Sequence, residues 1–397
     1  MSMNTTPNGE RIHIALFGRR NAGKSSLINA ITGQDLAIVS DVLGTTTDPV
    51  YKAMEILPLG PVMLIDTPGL DDEGVLGEER IKKARSVLNK TDLALIVADG
   101  NEAAKDFSFE HQILALTKKK NIPSIVVLNK QDLWAGNEAA IQAYGDLCVS
   151  SKTGYHIHEL KELMTTKLPT DDQTGKIVGD LLSPLDFVVL VVPIDSAAPK
   201  GRLILPQVQT LRELLDKKCM VMSVTTDKLL PALNMLQQAP KLIITDSQVF
   251  DYVYRNKPAE SMLTSFSVLF AAYKGDLPYY MEGARQIDAM NENSHVLIAE
   301  CCTHAPLSED IGRVKIPRML RKRFGERLRI DHVSGTDFPQ DLEGYDLIIQ
   351  CGACMFNRRY VVSRIDRAKA QNIPMTNYGI TIAHLTGILD KIVLTLR

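Results

Sequence analysis

The chain has 397 residues, with 45 Lys and Arg against 47 Asp and Glu and a formal net charge of −2. That length holds two or three domains, each able to bury a core of its own. Near-neutrality excludes a global pull toward nucleic acid or anionic lipid, and the longest pure apolar run, Phe187–Pro193, is too short to cross a bilayer.

The opening "MSMNTTPNGE" is polar and has no apolar signal region, so residues 1–10 are expected to be a flexible tail of a cytoplasmic protein. From 11 to 170, the runs "IHIALFG" (12–18), "VMLID" (62–66), "LALIVAD" (93–99) and "SIVVLN" (124–129) have the continuous apolar character of buried parallel strands. Crossover helices fit 79–90 and 108–119 between them, the rhythm of a doubly wound sheet. "KLPTDDQTGK" (167–176) is turn-rich and introduces a linker, placed at 171–182. Strands are then expected at 187–194, 219–224 and 241–246, with a helix over 205–216. A third series follows, with strands at 295–300, 328–333 and 346–350 and helices at 317–324 and 359–370.

"GRRNAGKSS" (18–26) fits the phosphate-loop pattern G-x-x-x-x-G-K-[ST], and it lies between a strand and a helix, as that pattern requires. Gly18, Asn21, Ala22 and Gly23 let the backbone curl so that N–H groups face a phosphate at a helix N-terminus. Lys24 would reach the β- and γ-phosphates, Ser25 would ligate Mg²⁺, and Ser26 completes the loop. "DTPG" (66–69) supplies Asp66 toward the metal and the Gly69 N–H toward the γ-phosphate. "NKQD" (129–132) brings Asn129, Lys130 and Asp132; the Asp132 carboxylate accepts from guanine N1–H and the 2-amino group, which adenine cannot offer. "SSK" (Ser150, Ser151, Lys152) adds an N–H toward the guanine carbonyl. The nucleotide is GTP, cycling to GDP. The expected fold is α/β: a P-loop NTPase doubly wound sheet over 11–170, followed by two smaller α/β domains at 183–268 and 269–397.

Leu70 stands where a water-orienting glutamine would be expected. The motifs resemble the TrmE-like GTPases, through "GxxNAGKSS" and the "GTT.D" element Gly44–Asp48. That resemblance implies that Asn21 helps bind a K⁺ ion where an arginine finger would act, and that Thr46 closes on Mg²⁺. It also implies a role through water for an acidic residue twelve positions after Asp66, here Glu78, which could equally be a solvated helix carboxylate.

Six cysteines are present, four of them in the last hundred residues. Cys302-x-His304 and Cys351-x-x-Cys354 both end predicted strands, and parallel neighbours would bring their C-terminal ends together. The spacing leaves three readings open: buried free thiols, a structural Cys₃His zinc site, or an iron–sulfur cluster with three thiolates and an exchangeable fourth position. "APKGRLILPQVQTLREL" (198–214), "SFSVLFAAYKGDL" (265–277), "CTHAPLSEDIGRVKIPRML" (302–320), "CGACM" (351–355) and "PMTNYG" (374–379) resemble the HydF family of [FeFe]-hydrogenase maturation GTPases. The resemblance implies a [4Fe–4S] cluster on Cys302, Cys351 and Cys354, with His304 as a possible fourth ligand and Glu300 as an alternative. Gln350 departs from the family, many members of which carry histidine there. It further implies a transient diiron precursor as cargo and a dimerisation domain at 183–268, hence a homodimer. The implied partners are the radical-SAM maturases HydE and HydG and the apo-hydrogenase, with neither nucleic acid nor membrane.

Two rivals remain at this level: a tRNA-modification or ribosome-assembly GTPase stapled by zinc, and a redox-sensing GTPase. The run 313–329 holds eight basic residues against one glutamate; it is a solvated helix face or a positive rim for an anionic partner.

Overall fold

Parallel strands buried on both faces need apolar residues in unbroken series, and the N-terminal sheet has them. It comprises β1 (Ile12–Phe17), β2 (Val50–Ile56), β3 (Gly60–Asp66), β4 (Leu93–Asp99), β5 (Ser124–Asn129) and β6 (Leu147–Cys148), in the order β2-β3-β1-β4-β5-β6. All neighbours are parallel except β2, which runs antiparallel to β3. β2 is not expected from the residue pattern: Val50 and Tyr51 are exposed, and its face is too polar to announce a buried strand. Helix Lys24–Thr32 buries Leu27, Ile28 and Ile31 with Leu16, Leu64 and Leu95 of one sheet face, while Ile113 of helix Ser108–Lys119 joins Phe17, Ile65 and Ile96 of the other.

The computed structural model describes residues 6–33, 49–67, 77–103, 105–134, 143–168, 176–194, 203–301 and 310–393, with 77–81 described by backbone alone. Thr46, Gly69, Cys302, His304 and the Glu78 side chain lie outside the described residues.

The chain forms two compact units, 1–170 and 171–397. The second holds two four-stranded parallel sheets. One orders β7 (Phe187–Val191), β8 (Met220–Val224), β9 (Leu242–Thr245) and β10 (Met262–Ser265) as β10-β9-β7-β8. The other orders β11 (His295–Ala299), β12 (Arg329–Val333), β13 (Leu347–Gln350) and β14 (Met375–Asn377) as β12-β11-β13-β14. A single apolar cluster joins them, with Val189, Val191 and Ile243 from the first, Leu297, Ala299 and Ile348 from the second, and Val268 and Tyr280 from the helices between. The boundary expected at 268/269 falls inside helix Phe266–Lys274. The very apolar β7 is covered by its own chain, since β8 and β9 flank it; the sheet's edges are β8 and β10.

Two short motifs have structural explanations here. Asn377 of "PMTNYG" caps helix Tyr378–Leu385, accepting from the Ile380 N–H at 2.9 Å. Gly379 lies so close to Ser267 that a Cβ would come within 2.5 Å of its side chain. Half of the basic run is paired locally: Arg313 with Glu300, Arg323 with Asp288, Arg321 with Glu326 and Arg327 with Glu292. Arg321, Lys322 and Arg323 occupy the last turn of helix Ile316–Phe324, where the helix dipole favours cations. That is the solvated-face arrangement. Among the described residues no helix is long and apolar enough to cross a membrane.

Candidate functional site

The phosphate loop leaves β1 at Gly18, where a Cβ would sit 2.2 Å from the Val97 carbonyl oxygen on β4. Only glycine allows that approach. Asn21 (φ 60°) and Gly23 (φ 90°) take left-handed backbone, the alternation that turns successive N–H groups inward. Lys24 is buried, its Nζ donating to the Gly18 and Arg19 carbonyls at 2.9 Å each, which lays the ammonium along the loop. The Ser25 hydroxyl donates to Asp66 Oδ2 at 2.9 Å, so the two expected magnesium-side groups already touch. Burial pushes the Asp66 carboxyl up, against the opposing effects of Ser25 and Lys24.

The base side is equally organised. Asn129 is almost fully buried and braces two loops: its Nδ2 donates to the Ala22 carbonyl at 3.1 Å, and its Oδ1 accepts from Ser151 N at 3.1 Å and Ser151 Oγ at 2.9 Å. Asp132 Oδ1 accepts from Ser150 Oγ at 2.6 Å. Lys130 has left-handed backbone and pairs with Asp99 at 2.8 Å. Gly23, Ser26, Asn129, Lys130, Asp132, Ser151 and Lys152 line a cavity of ≈ 630 Å³, the size range of a small-ligand site. Sequence patterns missed Arg19, which reaches Asp106 at 2.8 Å and the buried Glu110 at 3.5 Å; partners some ninety positions away leave no local signal. Replacing Gly18 by alanine should destabilise the unit by about 1–3 kcal/mol, because neither backbone can move aside. A calorimetric scan of the full chain should show the GTPase unit's transition lowered and the other unchanged.

In the second unit, β11 and β13 are central parallel neighbours with Ala299 opposite Gln350. The chain runs from β11 to β12 on one side and then to β13 on the other, so the strand order reverses there, where α/β sheets bind ligands outside their carboxyl ends. Cys301 and Cys351 leave the sheet together: the Cys301 N–H donates to Cys351 Sγ at 3.0 Å, and the Ala353 N–H to the same sulfur at 3.4 Å. Hydrogen bonding from Cys301 holds Cys351 below the usual thiol range, against its burial. Cys354 follows after Ala353, whose φ is 48°. Both Cys351 and Cys354 are half-buried. Cys301 faces inward, accepting from Arg364 Nη1 at 3.3 Å.

Gln350 is buried, and its amide donates to the Tyr280 hydroxyl at 3.3 Å. Both Glu300 oxygens are engaged, one by Arg313 at 3.2 Å and Ser334 at 3.4 Å, the other by Tyr378 at 3.4 Å. Among the described residues no three His, Cys, Asp or Glu side chains are grouped to hold a metal; Cys302 and His304 are not among them. The residues present nevertheless suit a thiolate-held group. Two cysteines emerge on one loop at a sheet switch point, beside a strand whose next residue but two is Cys302, and N–H donors already point at sulfur.

The phosphate loop, its buried lysine and the guanine-side carboxylate define a P-loop GTPase domain, and residues 13–130 match the family model described as 50S ribosome-binding GTPase. The remainder is more particular. Residues 177–275 match the hydrogen maturase F dimerization domain and 278–395 its tetramerization domain. The chain belongs to the hydrogen maturase F (HydF) family, and both matched family domains are described by self-association.

Among curated proteins, tRNA modification GTPase MnmE of Xanthomonas euvesicatoria pv. vesicatoria is 38% identical over 172 residues, 43% of this chain and 36% of that protein. MnmE of Heliobacterium modesticaldum is 33% identical over 169 residues, 40% of this chain and 35% of that protein. The chain thus spans about a third of the length of these relatives. Among solved structures, Era of Aquifex aeolicus is 20% identical at a TM-score of 0.35, covering 57% of this chain and 98% of that one.

Proposed function

We propose that this chain is a GTP-hydrolysing scaffold that holds a [4Fe–4S] cluster and assembles or delivers the diiron precursor of the [FeFe]-hydrogenase active site to the apo-hydrogenase. The observation that carries it is the meeting of the Cys301 and Cys351 loops, with a 3.0 Å N–H to sulfur contact, in a chain of this family. Cys302, Cys351 and Cys354 would supply the thiolates. The cluster would supply iron with an exchangeable fourth position for the precursor as cargo. His304 remains the proposed fourth protein ligand. Glu300 is the weaker alternative, since ligation would require it to give up Arg313, Ser334 or Tyr378. The same family reading gives a homodimer through residues 183–268, with a cytoplasmic location that keeps the thiols reduced. HydE, HydG and the apo-hydrogenase are its proposed partners. The tRNA-modification alternative rests on MnmE relatives that match 172 residues or fewer, at most 43% of this chain.

In the GTPase unit, the loop N–H groups and Lys24 would hold the phosphates, and Ser25, Asp66 and Thr46 would hold Mg²⁺. Gly69 would meet the γ-phosphate and Asp132 the base, with Ser150, Ser151 and Lys152 at its edge. Asn21, in left-handed backbone within the phosphate loop, is proposed to help bind K⁺, which would act in place of an arginine finger. Glu78 is proposed to act through water. Turnover should therefore be faster in K⁺ than in Na⁺ at equal ionic strength, and Asn21→Ala should remove the difference. Equal wild-type rates in the two salts would dismiss the K⁺ role.

The whole proposal is tested by reconstituting the full chain anaerobically with iron and sulfide and analysing iron and zinc. About four irons per chain, and activation of a hydrogenase apoprotein once HydE and HydG are supplied, is the expected result. Zinc bound at one per chain with no iron would replace it by the structural-zinc reading.

A further inference from the structure

We propose that Lys274 and Arg364, two buried cations from different helices, are positioning residues that fix the two cysteine loops and supply counter-charge beneath the thiolate-held group. This inference rests on the cluster reading above.

Lys274 ends helix Phe266–Lys274 and is only 3% exposed. Its ammonium donates to three carbonyls of the Cys351–Cys354 turn and its exit: Ala353 at 3.3 Å, Cys354 at 3.3 Å and Phe356 at 2.9 Å. A loop that folds its carbonyls onto one cation directs its N–H groups elsewhere, and the Ala353 N–H is the one that reaches Cys351 Sγ. The left-handed φ of Ala353 belongs to the same turn and is held there by this grip. Lys274 lies in "SFSVLFAAYKGDL", eighty positions from the cysteines it organises.

Arg364 is 2% exposed and serves the other loop. Its Nη1 donates to Cys301 Sγ at 3.3 Å and its Nη2 to the Gly335 carbonyl at 2.5 Å, and the guanidinium lies 4.9 Å from the ring centroids of Phe338 and Tyr360. No carboxylate among the described residues pairs with it. A buried guanidinium without a carboxylate is costly unless negative charge arrives from another source. Three thiolates on an iron–sulfur core would carry net negative charge, and Cys351, which accepts from the N–H of the Cys301 that Arg364 contacts, would be one of them. Buried positive charge favours the reduced, more negative state of such a group and so raises its reduction potential.

The test uses the reconstituted full chain with Lys274→Gln, Lys274→Arg and Arg364→Lys. It reads iron content, the EPR signal of the reduced form and the midpoint potential, with the calorimetric unfolding transition of the second unit as the control for folding. Lys274→Gln should shift the potential to a more negative value and alter the EPR g-values, and Lys274→Arg should restore the potential. Gln and wild type indistinguishable in both readouts would overturn the inference, as would an equal shift in Gln and Arg. Should the Gln protein fail to fold, Arg364→Lys decides: changed g-values at unchanged potential support the assignment, and no change in either overturns it. A wild type that takes up no iron refutes the cluster reading itself, an outcome separate from variants that load normally but do not shift.

Discussion

Asp132→Asn should abolish productive GTP binding, lowering affinity by roughly 10⁴-fold, because the site is built to accept the guanine donors. The carboxylate is held by Ser150 Oγ at 2.6 Å, so it cannot rotate away to accommodate a different base edge. Guanine presents two donors, N1–H and the 2-amino group, and both need an acceptor. An asparagine amide offers one acceptor and one NH₂ group, which would face the 2-amino donor. Xanthosine triphosphate, with a carbonyl at that position, should bind the variant and regain most of the lost affinity. That gain is the decisive measurement, since a damaged fold would lose both nucleotides. A variant that still prefers GTP would remove Asp132 from the base-reading role.

Cys351→Ser should strip the chain of its iron while leaving GTP hydrolysis intact. Cys351 is the sulfur on which the two loops converge, accepting from the Cys301 and Ala353 N–H groups. Serine oxygen is shorter and harder, and it is a poor ligand for iron–sulfur chemistry. Groups that merely support a metal ligand cost 10–100-fold when removed, so loss of a ligand itself should reduce hydrogenase activation by at least about that factor. The GTPase unit is compact on its own, so its turnover serves as the internal control. Undiminished hydrogenase activation by the serine protein would end the carrier proposal.

Much of this was legible in the chain itself, where local chemistry repeats. The strand expected at 93–99 and the helices at 108–119 and 205–216 match their observed bounds, because unbroken apolar runs and helical periodicity are local properties. The elements that escaped were those without such a pattern. β14 is three residues long, β2 is an exposed antiparallel edge, and helices Leu277–Arg285 and Tyr378–Leu385 lie among segments whose apolar residues serve a shared core. Their existence depends on what they pack against, which no window of sequence contains.

The same division holds for function. The phosphate loop, the "NKQD" edge and the paired cysteine motifs could be read from residue type and spacing, because a tight phosphate cradle and a thiolate ligand each demand particular atoms in a particular local order. Only the tertiary structure decided that β11 and β13 are neighbours, that Gln350 turns to Tyr280 and that Glu300 is engaged by Arg313. It alone brings Lys274 beneath a turn eighty residues away. Hydrogen bonds and charge act through space over a few ångströms, whereas sequence orders residues only along the chain.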